Sequence, residues 1–369
     1  MAGPLTGVRV LEFAGSAPTA FVGTILSGLG ADVVRVDRAP GQAAGPGQAA
    51  GPDEPRPAEN PLSRGRRSVA LDLKSPEGVE QALSLVEHAD ILVEGFRPGV
   101  AERLGIGPEA ARARNPRLVY GRVSGWGQQG EWAGRAAHDL AVLALTGALD
   151  VDPATGDPVP PPTAYLSSFA GGANAHVQGL LAALHERERS GRGQVVDTAL
   201  ADGAALISTL IHQWREVPGN HTVTDAPHYS LYRAADGRHL AVAAIEPRLY
   251  ENLLDQLGLT DTATLPDRSD QAAWPALREL IAARFATRDR EHWVKLFDAV
   301  DAGVAPVLTA AEAAAHHQLA ARRAFVAIGD SATLQPAPPS RFDRTPTGTP
   351  DRAPLPGEHT EEVLAEWHG

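Results

Sequence analysis

Arginines near the ends of predicted strands are the residues of this chain best suited to holding an anion. Arg38 closes one strand, Arg64, Arg66 and Arg67 cluster just ahead of another, and Arg97 follows a third in Glu94-Gly95-Phe96-Arg97-Pro98. Guanidinium groups make forked, charge-assisted hydrogen bonds to phosphates and carboxylates. Ligands of open α/β sheets collect at the carboxyl ends of the strands. The plainer reading of the same arginines is solvated charge. Other chemistries are narrowed by composition. With no cysteine, thiolate nucleophiles, disulfides and cysteine-ligated metals are excluded. His316-His317 sits in an alanine-rich stretch that reads as a helix and has no partner at i,i+4, so the pair reads as surface histidines and no metal site is expected. Ser168 lies in no Gly-x-Ser-x-Gly elbow.

The elements that must position these groups follow from periodicity. Residues 7–13 read as a buried strand, 18–29 as a helix and 31–38 as a second strand, a unit that builds parallel sheets. Its first turn, Ala14-Gly15-Ser16-Ala17-Pro18, lacks both the dinucleotide fingerprint and a P-loop. Residues 39–61 carry PGQAAG twice in tandem (40–45 and 46–51) and read as a loop that builds no core. Strands at 68–73, 91–94 and 118–123 alternate with helices at 76–88, 108–114 and 174–190, the last stopping at Gly191. Short strands at 229–233 and 239–245 flank Asp236-Gly237, a hairpin signal. Helices near 247–257, 270–286 and 289–299 follow. An extended proline-rich tail, 336–357, leads to a short helix at 359–367.

The chain has 369 residues and a formal net charge of −12. That charge disfavours nucleic acid and anionic membranes as partners, so neither is expected. No run of apolar residues is long enough to span a bilayer, and the amino terminus has no signal-peptide pattern. The expectation is a soluble cytoplasmic protein.

Nine segments in order resemble the family III CoA-transferases (the CaiB/BaiF group), with most likeness to the alpha-methylacyl-CoA racemase branch. They are GVRVLEFAGSAPTAF, GADVVRVDR, RGRRSVALDLKSPEG, ADILVEGFRPGVAERLGIG, GWGQQG, AAHDLA, SGRGQVVDTALADG, AADGRHLAVAAIEP and APVLTAAEA. The resemblance implies an α/β fold. A Rossmann-like large domain would span 1–200, with a linker at 201–225, a smaller α+β domain at 226–320 and a segment at 321–369 returning to the large domain. It also implies an interlaced homodimer acting on an acyl-CoA, or on a carrier-protein thioester. CoA would be part of the substrate rather than a cofactor, held by Arg38, the cluster Arg64, Arg66 and Arg67, and Arg97.

Removing the weakly acidic α-proton of a thioester and returning one needs positioned acid/base groups and donors for the enolate oxygen. The resemblance places a histidine acid/base in the pair His138-Asp139 and, at Glu246, the glutamate by which the neighbouring subunit orients that histidine. It places the thioester-lining loop at Gly125–Gly130, with Gly125 and Gly127 allowing close backbone approach. The family has a second base, an aspartate, before a Phe-Gly-Gly-like run. Here Ser168 precedes Phe169, and Ala164 stands where an asparagine is usual. Asp157, ahead of the proline run, is an implausible substitute. Four readings stay open. His138 acts as a single acid/base in a repurposed isomerase or lyase; a racemase draws on another proton donor; Ser168 serves acyl transfer; or the chain is a non-catalytic binder. His228 stands where the family often has an aromatic residue, and either packs or faces the acyl pocket. Tyr165 offers a hydroxyl near the cleft.

Overall fold

The computed structural model describes residues 2–39, 60–151, 158–159, 165–216, 226–260, 265–329 and 334–368. The PGQAAG repeats, Asp157, the proline run and Ala164 lie outside these. The chain divides into two compact units, Met1–His212 with Gln318–Gly369, and Gln213–His317.

The first unit is built on β1 (Arg9–Phe13), α1 (Ala17–Gly28), β2 (Asp32–Arg38), β3 (Arg67–Leu71), α2 (Pro76–Glu87), β4 (Ile91–Glu94), α3 (Val100–Arg103), α4 (Pro108–Arg114) and β5 (Val119–Ser124). Then come α5 (Asp139–Leu145), the two-residue strands β6 (Asp150–Val151) and β7 (Pro158–Val159), and a π-helical segment, Leu166–Ala173. That segment runs into α6 (Asn174–Ser190), followed by β8 (Val195–Ala199), α7 (Leu200–Ile207) and α8 (Thr209–Arg215). Helices α7 and α8 occupy much of the stretch expected to be a linker.

The main sheet has the order β3-β2-β1-β4-β5-β8 with every pair parallel. Its central strands β1, β4 and β5 are almost wholly buried, as expected for a parallel sheet covered on both faces. One face packs Leu11, Val34 and Val69 against Leu85 and Val86 of α2 and against Val363 and Trp367. The other packs Val10, Val33 and Val119 against Val22 and Leu26 of α1 and Leu180 of α6. Helices α1 and α2 begin where expected because serines cap them: Ser16 accepts from Thr19 N–H and Ser75 from Gly78 N–H, each with proline in the first turn. Helix α6 ends at Gly191 with φ 71°, the left-handed stop its sequence announced.

The second unit pairs β9 (Tyr229–Arg233) and β10 (His239–Ala243) as an antiparallel hairpin, with β11 (Val304–Pro306) on the far edge of β10. Helices α9 (Pro247–Gln256), α10 (Trp274–Phe285) and α11 (Arg290–Asp298) bury Leu253, Leu277, Ile281, Phe285 and Trp293 against it. The alanine-rich stretch is not one helix. α12 (Ala310–Ala315) stops at His316, whose extended backbone (ψ 130°) separates it from α13 (His317–Ala321), and the two histidine rings stack at 4.4 Å. Among the described residues no group of histidine and carboxylate side chains is placed to hold a metal.

Strands β12 (Phe325–Ala327) and β13 (Leu334–Pro336) form a small antiparallel pair, and α14 (Thr360–His368) closes the chain. Helix α14 covers the β3 edge of the sheet: Thr360 accepts from Ala70 N–H, and the Trp367 indole donates to Asp32. An edge strand so covered offers no template for another chain. No described helix is long and apolar enough to cross a membrane.

Candidate active site

The strand order reverses between β1 and β4, so the crevice outside their carboxyl ends is where an open parallel sheet accepts a ligand. The turns leaving these two strands pack together. A Cβ on Gly95 would lie 2.0 Å from Thr19 Oγ1, and the Glu94 carboxylate accepts from Phe96 N–H at 2.7 Å, shaping the turn that carries Arg97. Glu94 is held from behind by Arg122 at 3.0 Å, although burial is the largest influence on its carboxyl and pushes its pKa up. Arg97 is exposed, and its guanidinium has no partner among the described residues. Arg38, at the end of β2, is exposed as well.

The expected cluster ahead of β3 has a different fate. Arg66 is 4 % exposed and donates to Glu12 at 2.8 Å, to the Arg64 carbonyl at 3.0 Å and to the Ala20 carbonyl. Gly23 leaves room for this pair, since a Cβ there would lie 1.9 Å from Glu12 Oε2. Arg64 donates to Gln335 at 2.9 Å and to the Pro336 carbonyl at 2.6 Å, tying β13 to the stretch ahead of β3. Arg67 is paired with Asp32 at 2.6 Å and also with Glu362 and Glu366 of α14. Most donors of Arg64, Arg66 and Arg67 thus meet protein partners, with Arg64 Nε left without one among the described residues. The motif gave the right charge, but its partners lie tens to hundreds of residues away in sequence.

The chemistry-bearing residues of the first unit do converge. Gly125 follows β5, and a Cβ on it would lie 2.0 Å from Ala137 Cβ, so only glycine lets the loop approach residues 136–138 so closely. The Trp126 indole donates to the Ala136 carbonyl at 3.2 Å. Gly127 has φ +81°, a left-handed conformation in which glycine carries no strain. Gly125 O accepts from Ala201 N–H at 3.1 Å, anchoring the loop to α7. His138 is the residue just ahead of α5, with extended backbone (φ −80°, ψ 153°) and an exposed side chain.

Among the described residues Asp139 makes no hydrogen bond to the His138 side chain. Its carboxylate faces the start of the π-helical segment. Oδ1 accepts from Ser167 Oγ at 2.6 Å and Ser168 N–H at 2.8 Å, and Oδ2 from Leu166 N–H at 3.1 Å. A carboxylate satisfying the free N–H groups at a helix start is favourable on both hydrogen-bonding and dipole grounds. The result ties the peptide next to His138 to the peptide of Ser168. Ser167, fully buried, is the residue the sequence reading missed. Its signal is slight, a second serine beside the one that mattered.

Ser168 is 6 % exposed, and its hydroxyl has no hydrogen-bond partner among the described residues. Tyr165, just before the segment, takes φ 64°, rare for a residue with a Cβ. It is held by a stack of rings in which Tyr165 lies 4.7 Å from Phe169, and Phe169 lies 4.4 Å from Phe21 of α1. Glu246 belongs to the second unit, where it is the exposed residue ahead of α9 and accepts from Tyr250 N–H through its carbonyl.

Over residues 5–360 the chain matches the family described as CoA-transferase family III. It belongs to that family. It is 40% identical to the alpha-methylacyl-CoA racemase of Mus musculus over 371 residues, covering 98% of this chain and 93% of the relative. To the human racemase it is 38% identical over the same shares. Among solved structures, Rv3272 from M. tuberculosis superposes with a TM-score of 0.79 at 28% identity, covering 98% of this chain and 99% of that one. A CAIB/BAIF family protein from Brucella suis shares the fold over the full length of both chains, with a TM-score of 0.83 at 24% identity.

Proposed function

We propose that this protein is a cytoplasmic acyl-CoA isomerase or lyase. In this reading His138 takes the α-proton of a thioester, and the electron pair of the C–H bond becomes an enolate whose oxygen meets the Gly125–Gly130 loop. The observation that carries it is the clamp around Asp139. The aspartate beside His138 is engaged by Ser167, Ser168 and Leu166, while His138 itself stays exposed at the helix start. The site so built has one acid/base and no second carboxylate at 168. Glu246 is the partner expected to orient His138, and Arg97 and Arg38 are the expected phosphate contacts. Similarity to alpha-methylacyl-CoA racemases over nearly the whole chain supports a 2-methylacyl-CoA as the first substrate to try.

A homodimer is part of the same reading. Leu140 and Leu145 of α5 and Leu206 and Leu210 of α7 and α8 are each more than half exposed, apolar area that a second copy would cover.

The test is α-proton exchange. An (S)-2-methylacyl-CoA is incubated with the protein in deuterated water, and label uptake and configuration are followed together. The reading predicts exchange with retention, lost by a factor of about 10²–10⁴ in His138→Ala. Rapid exchange with inversion in the unaltered protein would favour a racemase with a second donor at Ser168. No exchange with CoA still bound would remove α-proton chemistry on this substrate class.

A further inference from the structure

The second unit contains a polar cluster that the proposed chemistry does not use. His228 precedes β9 and is fixed there because its carbonyl accepts from Ala244 N–H at 2.8 Å, one step beyond the hairpin register. Its ring meets Tyr250 edge to face at 5.9 Å and Trp274 at 6.5 Å. The Arg268 guanidinium lies over the Tyr250 ring at 4.5 Å. Arg268 is pinned from two sides: Nη1 donates to the Ile245 carbonyl at 3.1 Å, and its own carbonyl accepts from the Trp274 indole at 2.8 Å. The aromatic walls are thus rigid, and they stand directly beside Ile245 and Glu246.

Two atoms in this cluster are buried without a hydrogen-bond partner among the described residues, His228 Nδ1 and Tyr250 Oη. Tyr250 is 8 % exposed. A buried donor or acceptor left unmade is costly, so two in one cluster favour an occupant that pairs with both. The chemistry of that occupant follows from the donor set. Tyr250 keeps its proton, since burial raises its pKa, and so it donates. Burial first and the Arg268 charge second hold His228 below the ordinary histidine range, so its ring is neutral and can donate from Nδ1. Among the described residues Arg268 donates through Nη1 to the Ala244 and Ile245 carbonyls, leaving further N–H donors. Three donors and a positive charge suit an anion with several lone pairs. They repel a metal ion, and a hydrocarbon tail would leave both atoms unsatisfied.

We propose that His228, Tyr250 and Arg268 form a subsite for a carboxylate, carried on the acyl chain of the thioester substrate. The second half of this statement rests on the acyl-CoA reading above; the first does not.

The experiment compares matched thioesters in which a carboxylate replaces a methyl group: methylmalonyl- with isobutyryl-CoA, succinyl- with butyryl-CoA, and glutaryl- with pentanoyl-CoA. Affinities are measured by titration calorimetry for the unaltered protein, Tyr250→Phe and His228→Phe. Free succinate is titrated separately while the His228 ring signals are followed by NMR. The expected result is a preference of about tenfold or more for the carboxylate in at least one pair, from charge-assisted bonds. That preference should fall toward unity in both variants, which keep the ring packing. If both members of every pair bind equally, the subsite is wrong while the acyl-CoA reading stands. A preference that survives both substitutions also overturns it. If no thioester binds but free succinate shifts the His228 signals, the carboxylate site stands and the acyl-CoA reading falls. If neither binds, and Tyr250→Phe merely raises the melting temperature, the cluster is a packing defect and no subsite. If one variant fails to fold, the other together with the His228 ring signals of the unaltered protein carries the assignment.

Discussion

Two sets of arginines stand near strand ends of the same sheet and have opposite fates. Arg64, Arg66 and Arg67 have protein partners: Glu12, Gln335, Asp32 and the two glutamates of α14. Arg97, at the strand-order reversal, is exposed and carried on a turn that Glu94 holds in shape. The same split runs between neighbours at the site, where Asp139 is engaged and His138 is not. Charge type does not distinguish a structural arginine from a ligand-binding one. What distinguishes them is whether the fold brings a carboxylate or carbonyl within reach, and that depends on residues far away in sequence.

The strongest way to break this comparison is to remove the buried cation. Burial pushes the Glu12 carboxyl up and the Arg66 guanidinium down, with the attraction between them the second influence in each case. A charge taken out of water in this way depends on its partner, so removing one member alone strands the other. Arg66→Met alone should cost about 3–5 kcal/mol in urea unfolding, because Glu12 is stranded, whereas Glu12→Leu with Arg66→Met should recover most of that loss. Equal destabilisation by the single and the double change would show that the residues act independently.

A second buried group sharpens the contrast without any charge. His176 of α6 is fully buried, with Nδ1 2.9 Å from Thr198 Oγ1 and Nε2 without a partner among the described residues, and burial lowers its pKa to about 4. The unfolded chain takes up a proton near the ordinary value of 6.5, which the folded chain refuses until about pH 4. Stability should therefore fall as pH drops through that window and change no further from this cause below it. The full loss is about 3 kcal/mol. Unfolding curves between pH 7 and 4 should show a shallower acid limb for His176→Gln than for the unaltered protein, and parallel limbs would refute the assignment.

The Asp139 clamp gives the next effect. Asp139→Asn keeps the size but loses the charge and turns one acceptor into a donor facing the N–H groups of the segment. A loss of about 2 kcal/mol is expected, from hydrogen bonds to a charged group. Because the clamp joins the His138 peptide to that of Ser168, α-proton exchange should fall with it. Ser167→Ala, which removes one bond and leaves the two N–H contacts, should cost about 1 kcal/mol and change exchange little.

These residues also show what the sequence could carry. The parallel sheet, the hairpin at Asp236-Gly237 and the stop at Gly191 were legible because each rests on local chemistry: apolar runs, a turn dipeptide, a left-handed glycine. Helix α5 and the π-helical segment were not foreseen, since their starts depend on each other through Asp139 and no local pattern encodes that. The break at His316 was hidden by a run of alanines, the best helix formers, that the fold overrides. The His138 position and the Gly125 loop were found by resemblance to a family, and the geometry adds why they meet: Gly125 has no side chain to keep Ala137 away. The carboxylate subsite in the second unit had no sequence signal beyond His228 standing where an aromatic residue is usual.

The smallest expected effect falls on the exposed side of the comparison. Arg97 has no described protein partner, so Arg97→Ala should leave the melting temperature within experimental error. If Arg97 binds a phosphate of CoA, the same change removes a charge-assisted hydrogen bond and should weaken CoA binding by about tenfold, the equivalent of ~1.4 kcal/mol. The loss should shrink as salt rises, because an exposed ion pair is screened. Arg64→Ala should show the reverse pattern, with a lower melting temperature and unchanged CoA affinity once the protein is folded. Were Arg97→Ala to leave CoA binding intact at every salt concentration, Arg97 would be solvated charge at a strand end and not a phosphate contact.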